Sequence, residues 1–142
     1  MIQSKKKETI LLLIWIQSLL AVGGSLFFSE VMGYTPCELC WIQRIFMYPL
    51  VVIYGVALHK KDLSISLPGL ILSIVGIGFS IYHYMIQKLP SLSEIGAACA
   101  NVPCNVQYIN YFGFITIPFL AGTAFLIIIL LHLYLVKVSR RA

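Results

Sequence analysis

The chain has 142 residues, of which 60% are hydrophobic and 11% charged, and its formal net charge is +5. Soluble domains average about 45–50% apolar and about 25% charged residues, so this composition excludes a water-exposed globule and indicates a protein solvated by lipid. The length indicates a single domain over residues 1–142. The basic residues form no clustered patch, which argues against nucleic acid as a partner.

Four apolar runs follow one another along the chain, and each is long enough to cross a bilayer as a helix. A helix needs about 20 residues to span a hydrocarbon core of about 30 Å. Spanning β-strands are about 9–11 residues long and alternate polar with apolar positions, a pattern that these runs lack. The sequence therefore predicts an all-α membrane protein, a four-transmembrane-helix bundle with spans over residues 9–28, 41–58, 67–86 and 114–136.

The first run also has features of a cleaved signal peptide, because three lysines precede it and it contains small residues at Ala21, Gly23 and Gly24. The apolar part of a signal peptide is about 7–15 residues long, whereas this run stays apolar as far as Phe28. We therefore expect the first run to be retained as a transmembrane helix.

The lysines and arginines are distributed unevenly between the two sides of the predicted bundle. Eight of the ten lie at the termini or in the loop after the second run, and the other side carries only Arg44 and Lys88. Cytoplasmic segments are enriched in Lys and Arg, so both termini are predicted to be cytoplasmic. The four cysteines then lie on the extracytoplasmic side, where disulfides form and persist.

Small residues recur four positions apart in the third run, and a pair of glycines lies in the first. Small side chains at this spacing let two helix backbones approach closely in lipid. We therefore predict close helix packing at these positions, which are Gly23, Gly24, Gly69, Ser73, Gly76 and Ser80.

Cys37 and Cys40 form a C-x-x-C pair immediately before the second run. A helix N-terminus carries unpaired N–H groups and about half a positive charge, which favours the reactive thiolate form of cysteine. Cys40 is expected to lie nearest the helix start, and Arg44 adds positive charge one turn further along the same face. We interpret the pair as redox-active. The alternatives are a zinc half-site and a static disulfide or two buried thiols.

Arg44 could extend its side chain to the membrane surface, but an arginine that faces lipid is costly. We therefore expect it to face the bundle interior or a polar ligand. His83 is predicted at the same depth, and with Cys40 it could help to stabilise negative charge on an oxygen of an electron acceptor. His59 and His132, near the inner ends of the second and fourth runs, are interpreted as interfacial residues rather than as haem ligands.

A second cysteine pair, Cys99 and Cys104, lies in the predicted outer loop over residues 87–113. Two thiol pairs on one side of a membrane suggest that electrons pass between them by thiol–disulfide exchange. A local structural disulfide is the alternative for the loop pair. Leu89, Leu92 and Ile95 in the same loop predict a short interfacial helix.

The motif CELCWIQR, the four spans, the outer cysteine pair and the HYMIQ segment that closes the third run resemble the DsbB family of membrane disulfide-generating oxidoreductases. The CANVPC segment is similar to that of the compact BdbC-type members. The resemblance covers nearly the whole chain. It implies an enzyme of the plasma membrane that reoxidises a DsbA-like thioredoxin-fold thiol oxidase and passes the electrons to a membrane quinone, either ubiquinone or menaquinone.

The resemblance also implies a role for each candidate site residue in the second and third runs. Cys37 and Cys40 would form the pair next to the quinone, and Cys40 would be the thiol that engages it. Arg44 would lie beside the quinone oxygen, and His83 near the same site.

Cys99 and Cys104 would, by the same resemblance, oxidise the DsbA-like partner, with Cys99 forming the mixed disulfide. Their close spacing departs from the family pattern. It leaves open how the loop moves between the partner and the first pair.

Two other classes of protein remain open at this point. Quinone-linked reductases of the vitamin K epoxide reductase type share four spans and two cysteine pairs, but their quinone-side pair lies in the last span. Residues 114–136 contain no cysteine. The non-enzymatic alternative is a small structural or metal-binding membrane subunit.

Overall fold

The computed structural model describes residues 2–97, 107 and 110–141. Helix α1 (Ile2–Leu26) continues into a π-helical turn (Phe27–Val31), and a 3₁₀ turn (Ser64–Ser66) precedes the third helix. No strand occurs within these described segments, where β structure is confined to an isolated bridge between Tyr111 and Ile115. The remaining helices are α2 (Glu38–Lys60), α3 (Leu67–Lys88), α4 (Pro90–Ala97) and α5 (Ile117–Arg140).

Four segments are helical, long enough and apolar enough to cross a membrane: Ser4–Val31, Glu38–Lys60, Ser64–Lys88 and Ile117–Arg140. The prediction of an all-α membrane protein built on four spanning helices is therefore confirmed. Each helix extends past its predicted apolar run at one end or both, because charged residues at the ends do not interrupt helical hydrogen bonding. The side of the membrane that holds the termini stays a prediction.

The last long helix begins at Ile117, three residues after its predicted start. Phe112 and Gly113 have φ angles of 55° and 79°, so they form a tight turn that a helix cannot include. The turn is closed by reciprocal backbone hydrogen bonds of 3.0 Å between Tyr111 and Ile115. Lys88 attaches the end of α3 to this turn, since its Nζ donates to the Gly113 carbonyl at 2.7 Å.

The four long helices form a ring in which α1 packs against α2 and α5, and α3 packs against the same two. The centre of the bundle is apolar and includes the fully buried Ile14, Leu50 and Phe125. Large apolar side chains such as Ile45 and Leu130 are exposed on the outside, as a lipid-facing surface requires.

Close packing at the small residues of α3 is confirmed. A Cβ atom at Gly69 would lie 2.7 Å from the Tyr54 ring, and one at Gly76 would lie 2.6 Å from the Phe125 ring. The same prediction was wrong for Gly23 and Gly24, where a Cβ atom would meet nothing within 4 Å. Gly23 and Gly24 of α1 therefore leave open space, whereas Gly69 and Gly76 of α3 each let an aromatic ring approach the backbone.

The short helix predicted from Leu89, Leu92 and Ile95 is present as α4, which packs against α3. Leu92 contacts the small apolar cluster of Cys37, Leu39 and Ile86. The chain beyond α4 includes Cys99 and Cys104, which lie outside the described residues.

Candidate functional site

The C-x-x-C pair forms the first turn of α2. Cys37 is the N-cap residue, with extended backbone angles, and its carbonyl accepts a 3.1 Å hydrogen bond from the Trp41 amide. The expectation that Cys40 would lie nearest the helix start was wrong, because α2 begins at Glu38. The two Sγ atoms are 3.3 Å apart, well beyond the length of about 2.05 Å of a disulfide bond. The pair is therefore present as two thiols.

His83 of α3 contacts the Cys37 thiol, and Gln43 of α2 in turn contacts His83. The His83 Nε2 atom lies 3.7 Å from Cys37 Sγ, and its Nδ1 atom lies 3.0 Å from the Gln43 amide nitrogen. His83 is 1% exposed and Gln43 is 3% exposed. The Gln43 amide donates to Nδ1 in this arrangement, so the ring proton is on Nε2 and is directed at the Cys37 sulfur.

The pKa of Cys37 is held well below its ordinary value. The main cause is the hydrogen bond from Cys40, and the hydrogen bond from His83 acts in the same direction, while burial opposes them. A thiolate accepts these hydrogen bonds better than a thiol does, which favours the ionised form. The surroundings therefore favour ionisation of Cys37 in the reduced pair, with the Cys40 sulfur 3.3 Å away as its hydrogen-bond partner.

Arg44 is buried, with 7% of its surface exposed, and faces the bundle interior as predicted. Its Nε donates to Ser25 Oγ and its Nη2 to the Ser25 carbonyl, both at 2.9 Å. The guanidinium carbon also lies 5.2 Å from the centre of the Trp41 ring, within the range of a cation–π interaction. The bonds to Ser25 use only part of the guanidinium's donors, so Arg44 can also bind a ligand oxygen.

A cavity of about 360 Å³ lies between α1, α2 and α5. Cys40 and Arg44 both line it, and Leu20, Met47 and Leu120 belong to its larger apolar surface. The open space beside Gly24 forms part of this cavity. Its polar lining consists of Gln17, Ser25, Ser29, Tyr34, Thr35, Cys40, Gln43 and Arg44.

The four candidate residues of the described helices fall into two pairs, one that lines the cavity and one that does not. Cys40 and Arg44 line the cavity, whereas His83 contacts Cys37 and is not among the lining residues. Gln43 connects the two sides, because it lines the cavity and is hydrogen-bonded to His83.

Sequence reasoning missed Gln43 and Ser25. The position of Gln43, three residues after Cys40 and next to Arg44, was a usable signal, because residues three apart share a helix face. Ser25 gave no signal, since its role depends on where α1 meets α2.

His132 differs from its interpretation as an interfacial residue. It is buried, and its Nδ1 lies 2.9 Å from the Tyr54 hydroxyl. His59 is exposed at the end of α2. The two histidines therefore occupy different environments.

A thiol pair at the start of a spanning helix, with one of its cysteines lining an apolar cavity beside a buried arginine, defines a membrane thiol oxidoreductase. The sequence model of the family "Disulfide bond formation protein DsbB" matches residues 7–135. The chain belongs to the DsbB family, and the resemblance seen in its motifs is confirmed. No solved structure matches the chain.

Curated relatives agree with this assignment. The chain is 60% identical over 139 residues to a "Probable disulfide formation protein" of Oceanobacillus iheyensis, covering 97% of this chain and 96% of that protein. It is 52% identical over 116 residues to "Disulfide bond formation protein C" of Bacillus subtilis, covering 82% and 84%. The protein is thus a multi-pass membrane oxidoreductase of disulfide bond formation, which favours this class over a vitamin K epoxide reductase-like enzyme or a structural subunit.

Proposed function

We propose that this protein reoxidises an extracytoplasmic DsbA-like thioredoxin-fold thiol oxidase and passes the electrons to a membrane quinone, ubiquinone or menaquinone. One observation carries the proposal: Cys40 and Arg44 line the same apolar cavity between α1, α2 and α5. A lipid-soluble electron acceptor that enters this cavity from the bilayer meets a thiol and a fixed positive charge together.

The residues of the cavity fit a quinone. Its lining is mainly apolar, as a flat ring with a lipid tail requires. Arg44 is an N–H donor held in place by Ser25, and a preorganised donor of this kind stabilises negative charge that develops on a carbonyl oxygen. A bound quinone would accept two electrons and two protons, and this chemistry belongs to the cofactor rather than to the protein.

The chain's own residues carry out the thiol chemistry. The partner's thiolate would attack the Cys99–Cys104 disulfide, and the reduced loop pair would then reduce the Cys37–Cys40 disulfide. The sulfur of Cys40, which faces the cavity, is the point at which electrons leave. Once the electron pair of Cys40 has passed to a quinone bound in the cavity, the Cys37 thiolate would bond to the Cys40 sulfur, so that two thiols become one disulfide and the two electrons and two protons go to the acceptor.

His83 and Gln43 prepare Cys37 for this last attack. Gln43 fixes the ring proton of His83 on Nε2, and Nε2 donates to the Cys37 sulfur. The thiolate is thereby held beside Cys40 in the form that reacts. In this proposal His83 acts on the thiol, and Arg44 acts on the acceptor.

We place the protein in the plasma membrane with both termini cytoplasmic and all four cysteines outside. The uneven distribution of Lys and Arg supports this orientation. A membrane-impermeant thiol reagent should then label Cys99 and Cys104 in reduced intact cells. Labelling only after permeabilisation would contradict the orientation.

The test of the function is a coupled assay with the purified full-length protein in detergent. A reduced DsbA-like protein and a soluble quinone analogue are added, and quinone reduction is followed by absorbance. We expect oxidation of the partner to require both the protein and the quinone. Partner oxidation that proceeds equally without quinone would contradict the proposed acceptor.

A further inference from the structure

Three potential metal ligands converge at the start of α2, so the same groups that serve the redox role also meet the requirements of a cation site. The sulfur atoms of Cys37 and Cys40 and a ring nitrogen of His83 all lie within 4.8 Å of one another. The two sulfurs are 3.3 Å apart, and His83 Nε2 is 3.7 Å from Cys37 Sγ. In a tetrahedral zinc site, with Zn–S about 2.3 Å and Zn–N about 2.0 Å, neighbouring ligand atoms are separated by about 3.5–3.8 Å.

We propose that the reduced pair, together with His83, forms a redox-dependent inhibitory site for a thiophilic divalent cation such as Zn²⁺ or Cd²⁺. Thiolate and imidazole are the ligands that such cations prefer. Two of the separations, 3.3 Å between the sulfurs and 3.7 Å between Cys37 Sγ and His83 Nε2, lie within about half an ångström of tetrahedral spacing. The third, between Cys40 Sγ and His83, is no more than 4.8 Å and would shorten on binding. The oxidised pair has no thiolate, so it cannot form the site.

Gln43 provides the outer partner that a metal-bound histidine requires. Such a histidine usually donates its second ring N–H to a nearby oxygen, which fixes the ring. When Nε2 binds the metal, the proton moves to Nδ1, and rotation of the Gln43 amide presents its oxygen to that proton. Both side chains are buried, so this partner is not replaced by solvent.

The charges at the site are compatible with a bound cation. The two thiolates neutralise a divalent ion, so Arg44, which lines the cavity beside Cys40, does not face an uncompensated positive charge. The three residues leave a fourth position, which water or chloride from the cavity that Cys40 lines could take. Binding releases the protons of the thiols that were not already ionised, and no electron is transferred.

A bound metal would stop turnover because it occupies both sulfur atoms. Neither thiolate could then attack a disulfide or pass electrons to an acceptor. This inhibitory consequence rests on the proposed function, whereas the binding of the metal does not.

The test uses the full chain with the substitutions Cys99→Ser and Cys104→Ser, which remove the other thiol pair as a source of binding. Metal-free, reduced protein in detergent is titrated with Cd²⁺ alone, and binding is followed by the ultraviolet thiolate-to-metal absorption and by elemental analysis. We expect one ion per chain in the reduced protein and none after oxidation of Cys37 and Cys40.

Two variants examine the assignment of the ligands. His83→Gln should weaken binding at least tenfold, and Gln43→Leu should weaken it about 10–100-fold, as the loss of an outer partner does. His59→Gln, which removes an exposed histidine of the same helix bundle, is the matched control and should bind like the parent. If His83→Gln fails to fold, Gln43→Leu decides the question.

Equal Cd²⁺ binding by the reduced and the oxidised protein would overturn the site. So would an unchanged Cd²⁺ affinity in His83→Gln or, if that variant does not fold, in Gln43→Leu. In wild-type protein, Zn²⁺ should abolish quinone reduction, and a chelator should restore it; metal binding without inhibition would overturn the inhibitory role. Quinone reduction is measured in parallel in metal-free buffer. Its absence there, with Cd²⁺ binding intact, would overturn the proposed function and leave the metal site standing.

Discussion

Glycines have opposite effects on packing in two regions of the helix bundle. Around the centre and towards the end of α2, Gly69 and Gly76 let the rings of Tyr54 and Phe125 pack against the α3 backbone. Near the start of α2, Gly24 lines the cavity, and a Cβ atom added to it would have no neighbour within 4 Å. The same residue type therefore closes the bundle in one region and opens it in the other. The region that carries the dithiol is the one that is left open.

Polar residues differ between the two ends in the same way. Tyr54 and His132 pair with each other in the closed region. At the open end Arg44 is held by Ser25, and Gln43 is shared between His83 and the cavity. Tyr54 and His132 in the closed region hydrogen-bond to each other, whereas the polar groups of the open end can also bind a ligand.

The largest expected effect at the open end comes from Cys40. Cys40→Ser should abolish electron transfer to quinone, because no sulfur then faces the cavity. It should not block attack of a reduced partner on a preformed Cys99–Cys104 disulfide. In a Cys40→Ser, Cys104→Ser double variant, the Cys99 thiolate should attack the disulfide of the oxidised partner, release one partner thiolate and remain in a mixed disulfide. Non-reducing gels and the quinone assay measure the two steps. A partner trapped mainly on Cys37 would show that the loop pair is structural.

The next effect concerns the charge in the cavity. Arg44→Ala should raise the KM for quinone roughly tenfold or more, because a charge-assisted hydrogen bond contributes about 1.5–3 kcal/mol. Lys88→Ala, which removes the other cation at this end of the bundle and lies away from the cavity, is the matched control. Steady-state kinetics with varied quinone provide the measurement. An unchanged KM for quinone in the Arg44→Ala variant would show that Arg44 serves only in packing.

The contrast between the glycines can be tested with one substitution at two positions. Gly76→Val should lower the free energy of unfolding by about 1–3 kcal/mol or more, because its side chain would overlap the buried Phe125 ring. Gly24→Val should leave stability nearly unchanged and weaken quinone binding, because it fills part of the cavity. Thermal unfolding in detergent and quinone KM values separate the two. Equal destabilisation by both would remove the distinction between the closed and open regions.

The smallest effect concerns proton control at Cys37. His83→Gln removes a hydrogen-bond donor that lowers the pKa of Cys37, so that pKa should rise towards its ordinary value. Alkylation, which requires the thiolate, should then reach its half-maximal rate at a higher pH than in the parent protein. The rate is measured at Cys37 by mass spectrometry in a Cys99→Ser, Cys104→Ser background. A pH profile that does not move would leave Cys40 as the only group that tunes Cys37.

Much of the architecture was predictable because hydropathy is a local property. The four spans, the position of the dithiol and the shared depth of Arg44 and His83 follow from the apolar runs and from the helical rise per residue. Boundaries were less predictable. The start of α2 at Glu38 and of α5 at Ile117 depends on capping and on a turn with positive φ angles.

The sequence by itself determined that this protein is a four-helix membrane oxidoreductase with a thiol pair and a cation at one end. Only the tertiary structure decided that Gln43 contacts His83, that Ser25 holds Arg44, and that Gly24 opens a cavity while Gly76 closes the core. Each of these contacts joins residues on different helices or depends on the space between helices. They are fixed by which face of each helix meets its neighbours, and that choice is made by the packing of all four helices together.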